Sequence, residues 1–91
     1  MNLNNQQKIL KELRTIPGVG PSIAQDLYDL GIRSVDDLVD KNPEELYRSL
    51  YALHEKKLDR CLLYVFRCAV YFASTNNHKP ELLKWWNWKD K

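Results

Sequence analysis

The chain is short of several things, and each shortage excludes a class of protein. Its two cysteines, Cys61 and Cys68, form neither a disulfide framework nor a metal-finger spacing. No apolar run approaches the roughly 20 residues needed to span a bilayer, so no membrane contact is expected. Met1 to Gln7 lacks the charge-then-apolar layout of a secretory signal. The expected location is the cytoplasm, with both thiols reduced. Two histidines, His54 and His78, cannot complete a nucleophile–base–acid set. The paired carboxylates Asp36-Asp37 and Glu44-Glu45 stand at helix starts, where capping and the helix dipole account for them. No catalytic activity, cofactor or metal is expected. The 91 residues suffice for one domain around one core. The net charge of +2 is divided unevenly: +1 over residues 1–33, −2 over 34–58 and +3 over 59–91. Any polyanion should meet the two ends and avoid the acidic middle.

What is present is helical periodicity from end to end, with little strand-like alternation. A first helix is expected from Asn4 or Asn5 to Thr15, with Ile9, Leu10, Leu13 and Ile16 on one face, ended by Pro17. Pro21 opens a second helix bearing Ile23, Ala24, Leu27, Tyr28 and Leu30, and Gly31 stops it. Ser34-Val35-Asp36-Asp37 reads as a capping-box-like start to a connector helix over 34–41. Asn42-Pro43-Glu44-Glu45 opens a fourth, with Leu46, Tyr47, Leu50, Tyr51 and Leu53 as its apolar face. His54 falls in the polar break that follows. Asp59 then caps the longest helix, to about Ser74, whose apolar residues cover more than half its circumference and mark it as central. Pro80 opens a last helix over 80–88, carrying Trp85, Trp86 and Trp88. Helix, turn and helix over 5–30 recur weakly over 43–74.

The chemistry is concentrated in Ile16-Pro17-Gly18-Val19-Gly20-Pro21. Two glycines around one apolar residue mark a tight turn with unusual dihedrals that lets a ligand come close. The amides of Gly20, Ser22 and Ile23 stand at a helix start, where an anion is favoured. Ala24 is small enough for the two helices to pack closely behind the turn.

The run Leu13-x-x-Ile16-Pro17-Gly18-Val19-Gly20-x-x-x-Ala24, continued by Leu30-Gly31-Ile32-Arg33-Ser34-x-x-Asp37-Leu38, resembles the hairpin of the helix-hairpin-helix family. The resemblance implies an all-α, pseudo-duplicated core of five helices, SAM-like in type, with a short Trp-rich capping helix. It also implies a hairpin that grips DNA backbone phosphate without reading sequence, through Gly18, Val19, Gly20, Ser22 and Ile23, aided by Lys11 and Arg14. Many family members carry lysine where this chain has Ser22. The second turn, Leu53-His54-Glu55-Lys56-Lys57-Leu58, has no glycine, so only Lys56 and Lys57 offer contacts there. Glycosylases that share the hairpin need a second lobe for which this chain has no room. Over nearly its whole length the chain also resembles bacterial helix-hairpin-helix proteins of the pathogenicity-locus or mitomycin-resistance type. Asp59-Arg60-Cys61-x-Leu63-Tyr64-Val65-Phe66-Arg67-Cys68 and Pro80-Glu81-Leu82-Leu83-Lys84-Trp85-Trp86-Asn87-Trp88 carry that likeness most specifically.

Three further groups have two readings each. Arg60, Tyr64, Arg67 and Tyr71 form one helical stripe, either a secondary DNA contact or arginines paired with acids of the middle helices beside core-edge tyrosines. The former assigns Arg60 and Arg67 to DNA; the latter is favoured. Cys61 and Cys68 lie two turns apart, about 10 Å along the axis, and are expected to pack in the core. Trp85 and Trp88 share one side of the last helix. That side either closes over the core or serves as an interface for a protein partner or a second copy. The expected function is thus a non-enzymatic, weak, backbone-directed DNA-binding module. The alternative is a protein-interaction or self-association domain that keeps the fold without DNA affinity.

Overall fold

A computed structural model describes residues 2–55 and 58–90. Among these residues the chain is all-helical, with four α-helices and no strand: α1 (Asn2–Leu13), α2 (Pro21–Asp29), α3 (Pro43–His54) and α4 (Arg60–Ser74). Three single 3-10 turns complete it, at Val35–Leu38, Pro80–Leu83 and Trp85–Trp88. No helix among the described residues is long and apolar enough to cross a membrane.

The local signals act where the sequence places them. Asn42 caps α3, its Oδ1 accepting from the amides of Glu44 and Glu45 at 2.9 and 3.3 Å. Asp59 caps α4 by accepting from the Cys61 amide at 3.0 Å. Gly31, at φ +93°, ends α2 in a Schellman arrangement: its N–H donates to Tyr28 O, and that of Ile32 to Leu27 O. α3 ends without glycine, on Glu55 in the left-handed region.

Burial organises these pieces around α4. Phe66, Cys68 and Ala69 are fully buried, and α4 packs against α3, the 35–38 turn and both tail turns. α1 and α2 pack on each other through a core that includes Leu13, Ile16, Ala24 and Leu27. No polar side chain is buried among the described residues.

Several expectations are corrected. α1 ends at Leu13, two residues before Thr15. The five α-helices and capping helix become four α-helices, because the connector is one 3-10 turn and the tail is two, broken at Lys84. The tail cannot run as one α-helix. Glu81 O and Leu82 O, which such a helix would offer to residues 85 and 86, accept instead from Asn87 Nδ2 at 2.7 Å and Trp88 Nε1 at 2.8 Å. Ser34 does not cap the connector by its side chain. The Val35 amide donates to Glu12 Oε2 of α1 at 2.8 Å, and Asp37 Oδ2 accepts from the Arg33 amide at 2.8 Å. On α3, Leu50 is buried and Leu46 and Tyr47 half-buried, while Tyr51 and Leu53 lie half open to solvent. His54 is the last residue of α3 rather than part of a turn.

Candidate functional site

The segment between α1 and α2 descends in three short hydrogen-bonded steps: Thr15 N to Glu12 O, Ile16 N to Leu13 O and Val19 N to Ile16 O. Ile16 and Val19 are buried and anchor the turn from below. The Val19 side chain is therefore core, and its N–H is already used within the turn; the expected phosphate contact at Val19 is corrected on both counts. The two glycines differ. Gly18, at φ +87°, needs the left-handed region. Gly20 does not: it is the residue before α2, in extended backbone at φ −94° and ψ −171°, and a Cβ there would meet nothing within 4 Å. Its use is open space. Pro21 takes the first helical position, and the Ser22 and Ile23 amides follow in the first turn, where a helix supplies no acceptor of its own. Ser22 is exposed and Ile23 half-buried.

Beside this turn lies an open groove of about 360 Å³, lined by Gly18, Ser22, Asp26, Asp59, Leu62 and Trp85 among others. It brings the α1–α2 turn, the start of α4 and the tail to one place. Trp85 comes closest: a Cβ on Gly18 would stand 3.0 Å from Trp85 Cδ1. Trp85 also meets Trp86 edge to face, with ring centroids 5.7 Å apart.

The remaining site residues are dispersed. Lys11, in the last turn of α1, and Arg14, just after it, are exposed. Lys56 and Lys57 lie outside the described residues. The arginine stripe of α4 is occupied by the tail. Arg60 donates through Nε and Nη2 to Asp90 Oδ2 at 2.8 and 2.6 Å. Arg67 donates to Glu44 Oε2 at 2.7 Å and to Trp88 O at 2.8 Å, and pairs with Asp90 Oδ1 at 2.9 Å. Glu44 is the middle-helix acid expected for Arg67; the partner of Arg60 comes from the tail. Tyr64 lies beneath Arg67, and Tyr71 accepts from the Lys79 amide at 2.8 Å. Arg60 and Arg67 thus hold the tail rather than face outward free.

The tryptophans divide as the spacing predicts, Trp85 with Trp88 and Trp86 apart from them. Trp85 and Trp88 are both half-buried, Trp88 also lying 5.5 Å from the Tyr71 ring. Trp86 is the exposed one, at 48%. Trp85 and Trp88, three positions apart, still share a side in a 3-10 turn, and that side is the half-buried one.

The cysteines separate as well. Cys68 is buried, with its Sγ 4.0 Å from Pro17 O and 3.6 Å from Leu82 O, and burial pushes its thiol up to about 11. Cys61, expected in the core, is exposed on the groove wall. Partial desolvation there, then the hydrogen bond and charge of Asp59, raise its thiol above the usual range. His54 Nε2 reaches Asp26 Oδ1 at 3.5 Å, an ion pair when the imidazole is protonated, tying α3 to α2.

The family model Cdd1, described as Pathogenicity locus, matches residues 6–91. The chain belongs to this family. It is 34% identical over 77 residues to the mitomycin resistance protein McrB of Streptomyces lavendulae, an alignment covering 85% of this chain and 70% of that protein. No solved structure matches. The family-matched span contains the turn, α4 and both tail turns, and therefore every wall of the groove. The sequence gives no local signal for Asp26, Asp59 and Trp85 as neighbours, because they come from three elements that only the packing of α4 brings together.

Proposed function

We propose that the chain is a small, non-enzymatic helix-hairpin-helix module of the cytoplasm that holds DNA backbone phosphate at the 16–23 turn. Its two helical pairs, α1–α2 and α3–α4, are read as a lopsided duplication, with the glycine-containing turn in the first pair only. The observation that carries this reading is Gly20. It stands in ordinary extended backbone with empty space where a side chain would be, immediately before the Ser22 and Ile23 amides. Glycine also serves as an N-cap, but here neither dihedral nor packing requires it, and its missing side chain leaves room for something to approach from outside. A phosphate suits it, since amides and the dipole of α2 both favour an anion. Sequence is not read there, because backbone phosphates are common to every site.

One turn with Lys11 and Arg14 nearby holds few phosphates. The affinity expected is therefore micromolar or weaker, with a log–log salt slope of about −2 to −4. Anisotropy of labelled oligonucleotides at low salt tests this, alongside Ser22→Lys, which adds a cation at the turn and should tighten binding several-fold. Absence of binding by both proteins at low salt rejects the reading. It would favour protein interaction or self-association instead, for which Trp86, with Tyr51 and Leu53 on α3, supplies exposed apolar surface.

A further inference from the structure

We propose that Arg60 and Arg67 form a second site for DNA backbone phosphate, kept by the Asp90 carboxylate until a strand displaces it. This rests on the phosphate-holding reading and adds a second contact to it. Three side chains on one stripe of α4 converge on Asp90. Its Oδ2 accepts from Arg60 Nε and Nη2 at 2.8 and 2.6 Å and from the Tyr64 hydroxyl at 3.5 Å. Its Oδ1 pairs with Arg67 Nη1 at 2.9 Å. A guanidinium fork fits carboxylate and phosphate alike, since each offers a pair of anionic oxygens. The Asp90 carboxylate therefore stands where a backbone phosphate would be held. Arg67 is fixed for this task, because Glu44 Oε2 and Trp88 O take its other donors at 2.7 and 2.8 Å.

Charge and exposure make Asp90 the group that leaves. Among the described residues, the two arginines pair with two carboxylates, Asp90 and Glu44, so withdrawing Asp90 leaves one positive charge over. Asp90 stands beyond the last tail turn, Trp85–Trp88, with its side chain 40% exposed and that of Arg60 57% exposed. Ion pairs open to solvent contribute little net stability, so a strand that engages both arginines can replace it. Tethered beside the site, the carboxylate competes with every incoming phosphate, which suits the weak affinity expected of the wild-type protein. The site is also within the region a strand at the turn would cross. Asp59 and Cys61, the chain neighbours of Arg60, line the groove with Gly18 and Ser22, so the start of α4 stands beside the turn.

The test is anisotropy of one labelled duplex at low salt, with circular dichroism to establish that each variant folds. Asp90→Ala should bind about fivefold tighter than wild type, with the log–log salt slope steeper by about 1 for the added phosphate contact. Glu81→Ala removes the same charge from the tail without touching either arginine, and its affinity should stay within about twofold of wild type. Adding Arg60→Gln to Asp90→Ala should return the affinity to the wild-type value. Inorganic phosphate, at a phosphate concentration equal to that of the duplex, should leave the gain in place. If it abolishes the gain, the arginines take a free anion and the assignment to a strand is overturned. If wild type binds and Asp90→Ala binds no tighter, the second site is overturned and the turn reading stands. An equal gain in Glu81→Ala overturns it in the same way, as an effect of net charge alone. If neither wild type nor Asp90→Ala binds, both fall together.

Discussion

The indole of Trp85 lies so close to Gly18 that a Cβ on the glycine would come within 3.0 Å of its Cδ1. A residue at the end of the chain thus packs against the one position of the turn that requires positive φ. Gly18→Ala meets two penalties, the left-handed backbone and the indole. Gly31, at φ +93°, meets only the first, since nothing lies within 4 Å of its Cβ direction. Gly31→Ala should cost about 1 kcal/mol, and Gly18→Ala about 2–3 kcal/mol as backbone strain and overpacking combine. Thermal unfolding checks the order, with roughly 4–8 °C per kcal/mol in a domain of this size. Adding Trp85→Ala to Gly18→Ala should recover part of the second penalty; strictly additive losses would show that the two residues do not communicate.

The two thiols should differ sharply. Cys61 is exposed and Cys68 buried with its thiol at about 11, so a thiol reagent at mildly alkaline pH should label one group per folded chain. Labelling of Cys61 should be slow at neutral pH and quicken as pH rises, because its thiol too is raised. Denaturant should release the second. Mass spectrometry of the labelled protein identifies the residue, and equal reactivity of both in the folded state would contradict the burial of Cys68.

The contrast between these cysteines shows what was legible in the sequence. Caps and stops are local chemistry, so Asn42, Asp59 and Gly31 announce their own helices. The centrality of α4 follows from its wide apolar arc. Periodicity assigns a face, however, and not the neighbour that covers it. Cys61 lies on the apolar arc yet borders an open groove, and Tyr51 and Leu53 lie on that of α3 yet stay half open to solvent. The tail misleads for another reason. Side chains of Asn87 and Trp88 take the carbonyls a helix needs, and no propensity or spacing records such a competition. The amide of Val35 is capped by Glu12, 23 positions earlier, a partner that only tertiary packing selects. For the site, the turn itself was legible from its glycines, but the division of labour between Gly18 and Gly20 was not.

Asp90 gives the tail a pH dependence of defined sign. The hydrogen bond from Arg60, then that from Arg67, holds its carboxyl below the ordinary value of 3.8. A group depressed in the folded state contributes stability that is fully present above its ordinary value and disappears as pH falls through the lower folded one. Tail docking should therefore be constant from neutral pH down to about 4 and weaken only below that. Tryptophan emission against pH reads it directly, since Trp88, whose carbonyl accepts from Arg67, is half-buried in the tail beside these ion pairs. Asp90→Asn should give the loosened emission already at neutral pH, and added salt should loosen the wild-type tail in part, because both partners are accessible to solvent. Emission that begins to change well above the ordinary carboxylate range would contradict the assignment.

Gly20 offers the cleanest separation of folding from binding. Its φ of −94° is available to any residue, and no atom lies within 4 Å of where a Cβ would be. Gly20→Ala and Gly20→Val should both fold, at a cost of about 1 kcal/mol or less from exchanging glycine for a poorer residue at the helix start. Each adds bulk beside the first-turn amides of α2. An anion at a helix terminus gains about 0.3–1 kcal/mol, up to about 2 where partly enclosed, so keeping it at a distance should weaken DNA binding about fivefold. The β-branched valine should act more strongly than alanine. Circular dichroism establishes the fold and anisotropy at low salt the affinity, with Gly31→Ala as a control that alters a glycine away from the turn. Wild-type affinity in a folded Gly20→Val protein would remove the phosphate from this turn, since close approach is the property for which the glycine is invoked.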